Sequence, residues 1–257
     1  MRKLLASGPM VSQRSRPRHR VLLLDALGTL VRLEDPVAPL REVMVRRFAI
    51  GLSEAQAGAA LAAEIAFYRA HLNTGRDRES LRGLRRASAE VLRGVLPPSR
   101  ELSRIAPDEL TDALLESLRF SAYGDAAPAL AALRERGVAM VVVSNWDVSL
   151  HEVLARASLS PLLDGIVTSA EVGARKPAPE VFQHALALAG ARPEEALHVG
   201  DSLREDVEGA RAAGIEPVLL VRPGLSVPAG LKGVRVIASL LELGPEPGGS
   251  LTSSGNE

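Results

Sequence analysis

The sequence predicts an α/β fold: a doubly wound, Rossmann-like parallel sheet with an all-helical domain inserted into it. Three observations carry this. Short aliphatic runs at 20–25, 138–144, 165–169, 196–200, 217–222 and 234–237 are flanked by turn residues, as strands buried on both faces are. From residue 126 onward helical patterns separate these runs, and strand–helix alternation argues for a parallel sheet. Between 36 and 120 the alternation stops and only helical periodicity remains.

The elements follow in order. The first strand ends in Asp25, and Gly28-Thr29 turns the chain at once, which delivers a carboxylate to the carboxyl edge of the sheet, where open α/β folds place their chemistry. The insert reads as helices at 39–50, 53–72, 77–95 and 108–119. Ser53 with Gln56 forms a capping box, and Pro97-Pro98 separates two of the helices. Because it starts just after Asp25, the insert is expected to cover the sheet edge as a lid. A helix at 126–136 leads into a strand that closes on Ser144-Asn145, and a helix at 148–157 leads into the strand 165–169. Lys176 lies in the loop Gly173–Pro179, ahead of a helix at 179–189. The strand 196–200 runs into Gly200-Asp201-Ser202, and the helix 203–213 carries Asp206 in its first turn. Gly137, Gly190 and Gly214 stop three of these helices. The strands 217–222 and 234–237 and a helix at 238–243 finish the core. The expected domains are therefore a core of 20–35 and 121–243 and a helical insert of 36–120.

Composition narrows the functional classes. Apolar residues make up 46% and charged residues 24% of the 257 positions, as in ordinary soluble globular proteins. Equal numbers of basic and acidic residues, 31 each, leave no global field that would draw the chain to nucleic acid or a membrane. The absence of cysteine excludes disulfides, thiolate metal sites and a thiol nucleophile, and fits a cytoplasmic protein. Residues 1–19 are basic but broken by Gly8-Pro9, and no aromatic interleaves the charges. They read as a disordered tail rather than a signal peptide or a nucleic-acid arm. Residues 244–257, rich in Gly, Pro and Ser, read as a second tail.

Asp25, Ser144-Asn145, Lys176 and Gly200-Asp201 each fall at the carboxyl end of a different strand. One such group is often a helix cap or a solvated loop residue, but four in this arrangement are hard to explain by capping. In this order, with a helical insert after the first, they resemble the haloacid dehalogenase-like hydrolase superfamily, in its helical-cap (C1 type, subfamily IA-like) branch. The resemblance spans roughly 20–243.

It implies a hydrolase, a Mg²⁺-dependent phosphatase of a small phosphorylated metabolite. Asp25 would attack phosphorus, and Lys176 would neutralise the phosphoryl oxygens. Thr29, Ser144, Asn145 and Lys176 would bind the phosphate. Asp25, the Leu27 backbone carbonyl and Asp201 would hold Mg²⁺, with Asp206 acting directly or through water. No nucleic-acid or membrane partner is implied.

One position departs from the pattern. Leu27 stands where phosphatases of this family usually carry the aspartate that protonates the leaving group and activates water. The resemblance therefore also admits a degenerate member that binds a phosphorylated ligand or a protein, and a metal-independent haloacid dehalogenase. Gly200-Asp201 and Asp206 argue against the dehalogenase. Elsewhere, His198 reads as a core residue bonded to backbone, Trp146 as a wall of the site or a packing residue under the insert, and Asp147 as the N-cap of the next helix.

Overall fold

Val21–Leu24 (β1) is four consecutive aliphatic residues, all buried, which only a strand covered on both faces accommodates. The computed structural model describes residues 19–228 and 231–244. The two expected tails lie outside the described residues, apart from His19 and Gly244 at their inner ends. After β1 come Val31–Leu33 (β2) and the helices Val37–Phe48 (α1), Glu54–His71 (α2), Arg78–Val95 (α3), Arg100–Arg104 (α4) and Pro107–Ser117 (α5). Phe120–Ala122 (β3) returns the chain to the core, followed by Ala126–Glu135 (α6), Ala139–Ser144 (β4), Leu150–Arg156 (α7), Gly165–Thr168 (β5) and Ser169–Val172 (α8). Pro179–Ala189 (α9), Ala196–Gly200 (β6), Gly209–Ala212 (α10), Glu216–Leu220 (β7) and Arg235–Ile237 (β8) complete it.

Six strands form one parallel sheet in the order β5-β4-β1-β6-β7-β8. The chain leaves β1 toward β4 and β5, then crosses back to β6, so the topological switch point lies between β1 and β6, where such sheets bind ligands. Strand alternation sorts the two layers. Leu22, Leu24, Met140 and Val142 pack with Leu130 and Leu133 of α6 and Leu150 and Leu154 of α7. Val21, Leu23, Val141 and Val143 pack on the other face with Val181, Phe182 and Ala185 of α9 and Ala210 of α10.

The insert has its own apolar core, in which Leu40 and Met44 of α1 meet Leu61, Leu92, Leu110 and Leu114. The capping box at Ser53 is formed as expected, with Gln56 N–H on the Ser53 hydroxyl. Pro97-Pro98 does interrupt the helices, but a short α4 capped by Ser99 follows it, which periodicity missed.

Other departures are also local. The two necks of the insert pair as an antiparallel ribbon, β2 with β3, where the sequence predicts no strand; three residues are too few to show a period. The expected helix 203–213 is a π-helical turn, Leu203–Glu208, before α10. The helix expected at 238–243 is a single 3₁₀ turn, Leu240–Leu243. Among the described residues, no helix is long and apolar enough to cross a membrane.

Candidate active site

Asp25 follows β1 directly, and its backbone N–H is held by the Val199 carbonyl of β6. The residue is 6% exposed. Oδ1 accepts the Ser144 hydroxyl at 3.1 Å and the Lys176 ammonium at 2.6 Å. Lys176 is 1% exposed and donates also to Asp206 Oδ1 at 2.5 Å. A lysine this deep is tolerated only because two carboxylates compensate it. Burial alone would lower its pKa, but Asp206 and Asp25 outweigh that and drive it upward, so it stays charged.

The Lys176 loop is placed by Asn145. The amide oxygen accepts the Lys176 N–H at 2.7 Å, and the amide nitrogen donates to the Lys176 carbonyl at 3.0 Å. Asn145 thus grips the backbone that carries the ammonium, and its side chain is spent on that task.

Asp206 sits in the π-helical turn after β6, a distortion that proteins often place at functional sites. Its Oδ2 accepts the Ser202 N–H at 2.9 Å, and its Oδ1 meets His198 Nε2 at 2.9 Å. Because a carboxylate can only accept, Nε2 carries the proton in that contact. Burial would raise the Asp206 carboxyl, but Lys176 and His198 reverse this and hold it well below the usual range. The close approach is possible because position 200 is glycine: a Cβ there would lie 2.1 Å from Asp206 Cγ.

Asp201 is the exposed member of the acidic group. One oxygen from each of Asp25, Asp201 and Asp206 lies within 4.8 Å of the others. Loss of hydration, then repulsion from Asp25 and Asp206, pushes the Asp201 carboxyl up to about 7. The turn after Asp25 presses against it. Gly28 adopts φ +83°, and a Cβ there would sit 2.0 Å from Asp201 Oδ2, so only glycine fits.

The structure therefore brings Asp25, Ser144, Lys176, Asp201 and Asp206 together. Thr29 is placed differently. It is fully buried, its hydroxyl has no hydrogen-bond partner, and its carbonyl is gripped by Arg222. The Thr29 hydroxyl makes no hydrogen bond to Asp25, Ser144 or Lys176. His198 is bonded to a side chain, not to backbone as expected. The signal was available in strand alternation, because His198 shares a face with Gly200, the position against which Asp206 packs.

Trp146 packs in the core against Phe120 at the neck of the insert. Asp147 accepts the Ser149 N–H at 2.7 Å just ahead of α7, and its other oxygen accepts the Tyr68 hydroxyl at 2.9 Å. That second bond belongs to a seam between insert and core. Ser169 donates to Asn73 at 2.7 Å, Arg175 to the Arg69 carbonyl at 3.0 Å, and Val148 N–H to the Gly75 carbonyl at 3.0 Å. The end of α2 and the turn after it thus rest on the loops at the carboxyl edge of the sheet.

Comparison with known proteins agrees with this architecture. A family model described as haloacid dehalogenase-like hydrolase matches residues 19–214. The mouse haloacid dehalogenase-like hydrolase domain-containing protein 3 is 30% identical over 212 residues, 78% of this chain and 81% of its own. The phosphoserine phosphatase of Thermus thermophilus is 40% identical over 116 residues, 44% of this chain. That match spans 47% of the Thermus enzyme, and the match to the bovine domain-containing protein 3 spans 36% of that relative. Among solved structures, a HAD phosphatase from Thermococcus onnurineus superposes with a TM-score of 0.59 at 25% identity, covering 87% of this chain and 95% of that one. The L-2-haloacid dehalogenase of Xanthobacter autotrophicus superposes at 0.61 with 21% identity, covering 88% and 96%, a likeness of fold alone.

Proposed function

Since the chain belongs to the haloacid dehalogenase-like hydrolases, we propose that it is a Mg²⁺-dependent phosphatase of a small phosphorylated metabolite, acting through a phosphoaspartyl intermediate on Asp25. One observation carries this: a buried ammonium bridges Asp25 and Asp206 beside a third carboxylate, Asp201.

The residues fit the cation. The cluster offers carboxylate oxygens, the hard donors that Mg²⁺ prefers, and the Lys176 ammonium is bonded to two of its three carboxylates. Asp25, Asp201 and the Leu27 carbonyl would hold the ion, with Asp206 orienting it directly or through water. When bound it supplies positive charge at the phosphoryl oxygens.

The chain's own groups do the rest. Burial raises the Asp25 carboxyl above its ordinary value, and Lys176 opposes that rise. Lys176 also neutralises charge on the transferring group, and Ser144 with the backbone at Asn145 orients it. An Asp25 oxygen forms a bond to phosphorus as the bond to the leaving oxygen breaks. Water then hydrolyses the acyl phosphate and frees Asp25. The insert seam, with Tyr68 on Asp147, holds helical residues over the sheet edge to exclude bulk water and select the substrate. Phosphatases among the relatives, named for phosphoserine and for glyceraldehyde 3-phosphate, support a substrate of this size.

Leu27 is 36% exposed in the turn and offers no proton. General acid–base catalysis contributes roughly 10²–10⁴-fold, so leaving groups that depart as stable anions, such as aryl or acyl phosphates, are the favoured substrates. Leu27 is also the one observation that favours a second reading, a member that binds phosphorylated ligands without turnover. Mg²⁺-dependent release of an aryl alcohol from an aryl phosphate, lost in Asp25→Asn, supports the phosphatase. Mg²⁺ binding with no turnover favours the binding protein, and metal-free chloride release from a 2-haloacid overturns both.

A further inference from the structure

Arg222, in the loop after β7, is 9% exposed and takes no part in the chemistry above. Its guanidinium joins two distant segments of the chain, 28–29 and 123–125. Nη2 donates to the Thr29 carbonyl and Nε to the Gly28 carbonyl at 3.4 Å. Nη1 donates to Asp125 Oδ2 at 2.7 Å, and the planar group lies 3.8 Å from the centre of the Tyr123 ring. Tyr123 directly follows β3, the return neck of the insert, and its N–H is held by the Leu30 carbonyl at 3.0 Å. Asp125 Oδ2 in turn accepts the Ser239 hydroxyl at 2.7 Å and the Leu240 N–H at 2.8 Å. Asp125 is accordingly held below its usual range: burial would raise it, but the hydrogen bond from Arg222 and those from Ser239 and Leu240 prevail.

We propose that Arg222 is a positioning residue for the Asp25 turn, fixing residues 26–30 against the acidic cluster and tying that turn to the neck of the helical insert. The physical reasons lie in the fork and the turn. Only a guanidinium can donate to two successive carbonyls and a carboxylate while stacking on a ring; an ammonium lacks the plane and the spacing. The turn it holds has no slack, because Gly28 already touches Asp201. Displacement of the Gly28 and Thr29 peptides moves the backbone that follows the nucleophile. Arg222 acts through that backbone and does not touch the reacting atoms.

The assignment of catalytic consequences rests on Asp25 being the nucleophile, so the test has one arm that does not. Amide hydrogen exchange is followed in Arg222→Met, which keeps the apolar stem, and in Arg222→Lys. The amides of Gly28, Leu30 and Val31 close the turn. In Arg222→Met they are expected to exchange about tenfold faster or more, while those of β4 and β6 keep their rates.

On an aryl phosphate, kcat is expected to fall about 10²-fold with KM nearly unchanged, the signature of misplaced rather than lost binding groups. Arg222→Lys is expected to recover part of kcat, and free guanidinium at non-denaturing concentration to rescue Arg222→Met. Unchanged turn exchange overturns the proposal, as does uniform acceleration across the sheet, which marks general destabilisation. If Asp25→Asn proves fully active, the nucleophile reading fails, and the exchange arm still decides whether Arg222 holds the turn.

Discussion

Lys176 concentrates the physics of this protein in one side chain. Its ammonium is buried between Asp25 and Asp206, and a buried pair that loses one member leaves the other charge uncompensated. Lys176→Met should therefore destabilise by about 3–5 kcal/mol, read as a lower denaturant midpoint. It should also cut turnover of an aryl phosphate by at least about 10²-fold, because a donor aimed at developing charge is gone. Leu27 is the converse case, an absent group. Leu27→Asp should raise the rate on alkyl phosphates by about 10²-fold and change the rate on aryl phosphates less, measured by initial rates on a matched pair.

At this scale Asp25, Lys176, Asp201 and Asp206 were legible: Asp25 and Asp201 directly follow strands, and Lys176 and Asp206 lie in the segments that leave β5 and β6 at the same edge of the sheet. Arg222 and Asp125 were not legible. They lie 97 residues apart in loops with no periodic signal, and only the fold brings them into contact.

At the scale of elements, legibility followed length and burial. β1 and β4 show as uninterrupted aliphatic runs because both their faces are covered, and α2 announces its start through the Ser53 box. The β2–β3 ribbon, α4 and the π-helical turn are too short for a pattern, and their form is imposed by neighbours: pairing of the two necks, the stop at Pro97-Pro98, and the seat that Asp206 needs beside Gly200.

Helix α2 also carries a buried acid, Glu64, 4% exposed and beside Ser88 of α3. Burial raises its pKa above the ordinary value of 4.5. A folded-state pKa above the unfolded one means the folded form binds more protons in that window, so this residue erodes stability as pH rises from about 4.5 upward. Glu64→Gln is expected to melt higher than the parent at pH 7 and to match it near pH 4, followed by thermal unfolding at both pH values.

Over the whole molecule, the site is a balance of charge held by topology. Three carboxylates converge where the sheet reverses its direction of winding, and the Lys176 ammonium bridges two of them. Asp25, raised chiefly by burial, and Asp201 both carry the imbalance. The ordinary value of Asp201 is 3.8 and its folded value is about 7. Below about pH 4 both states are protonated and nothing is lost. Between about 4 and 7 the folded state holds the proton more tightly, so stability falls as pH rises, and above 7 the penalty is constant. In the presence of a chelator, Asp201→Asn is therefore expected to melt above the parent, by a margin that grows from pH 4 to 7. Added Mg²⁺ is expected to raise the melting temperature of the parent and leave that of Asp201→Asn nearly unmoved, since a ligand that binds only the folded form stabilises it.

By itself the sequence determined the class of fold, the order of the chemical groups and the strand end at which each is delivered, because hydrophobic period and turn residues are local properties of the chain. Tertiary structure alone decided which of those groups touch. It put Lys176 between Asp25 and Asp206, turned His198 onto Asp206, buried Thr29 in the interior and set Arg222 over the turn that follows Asp25. Those contacts depend on strand order and on the room left by Gly28 and Gly200, which exist only once distant segments have packed.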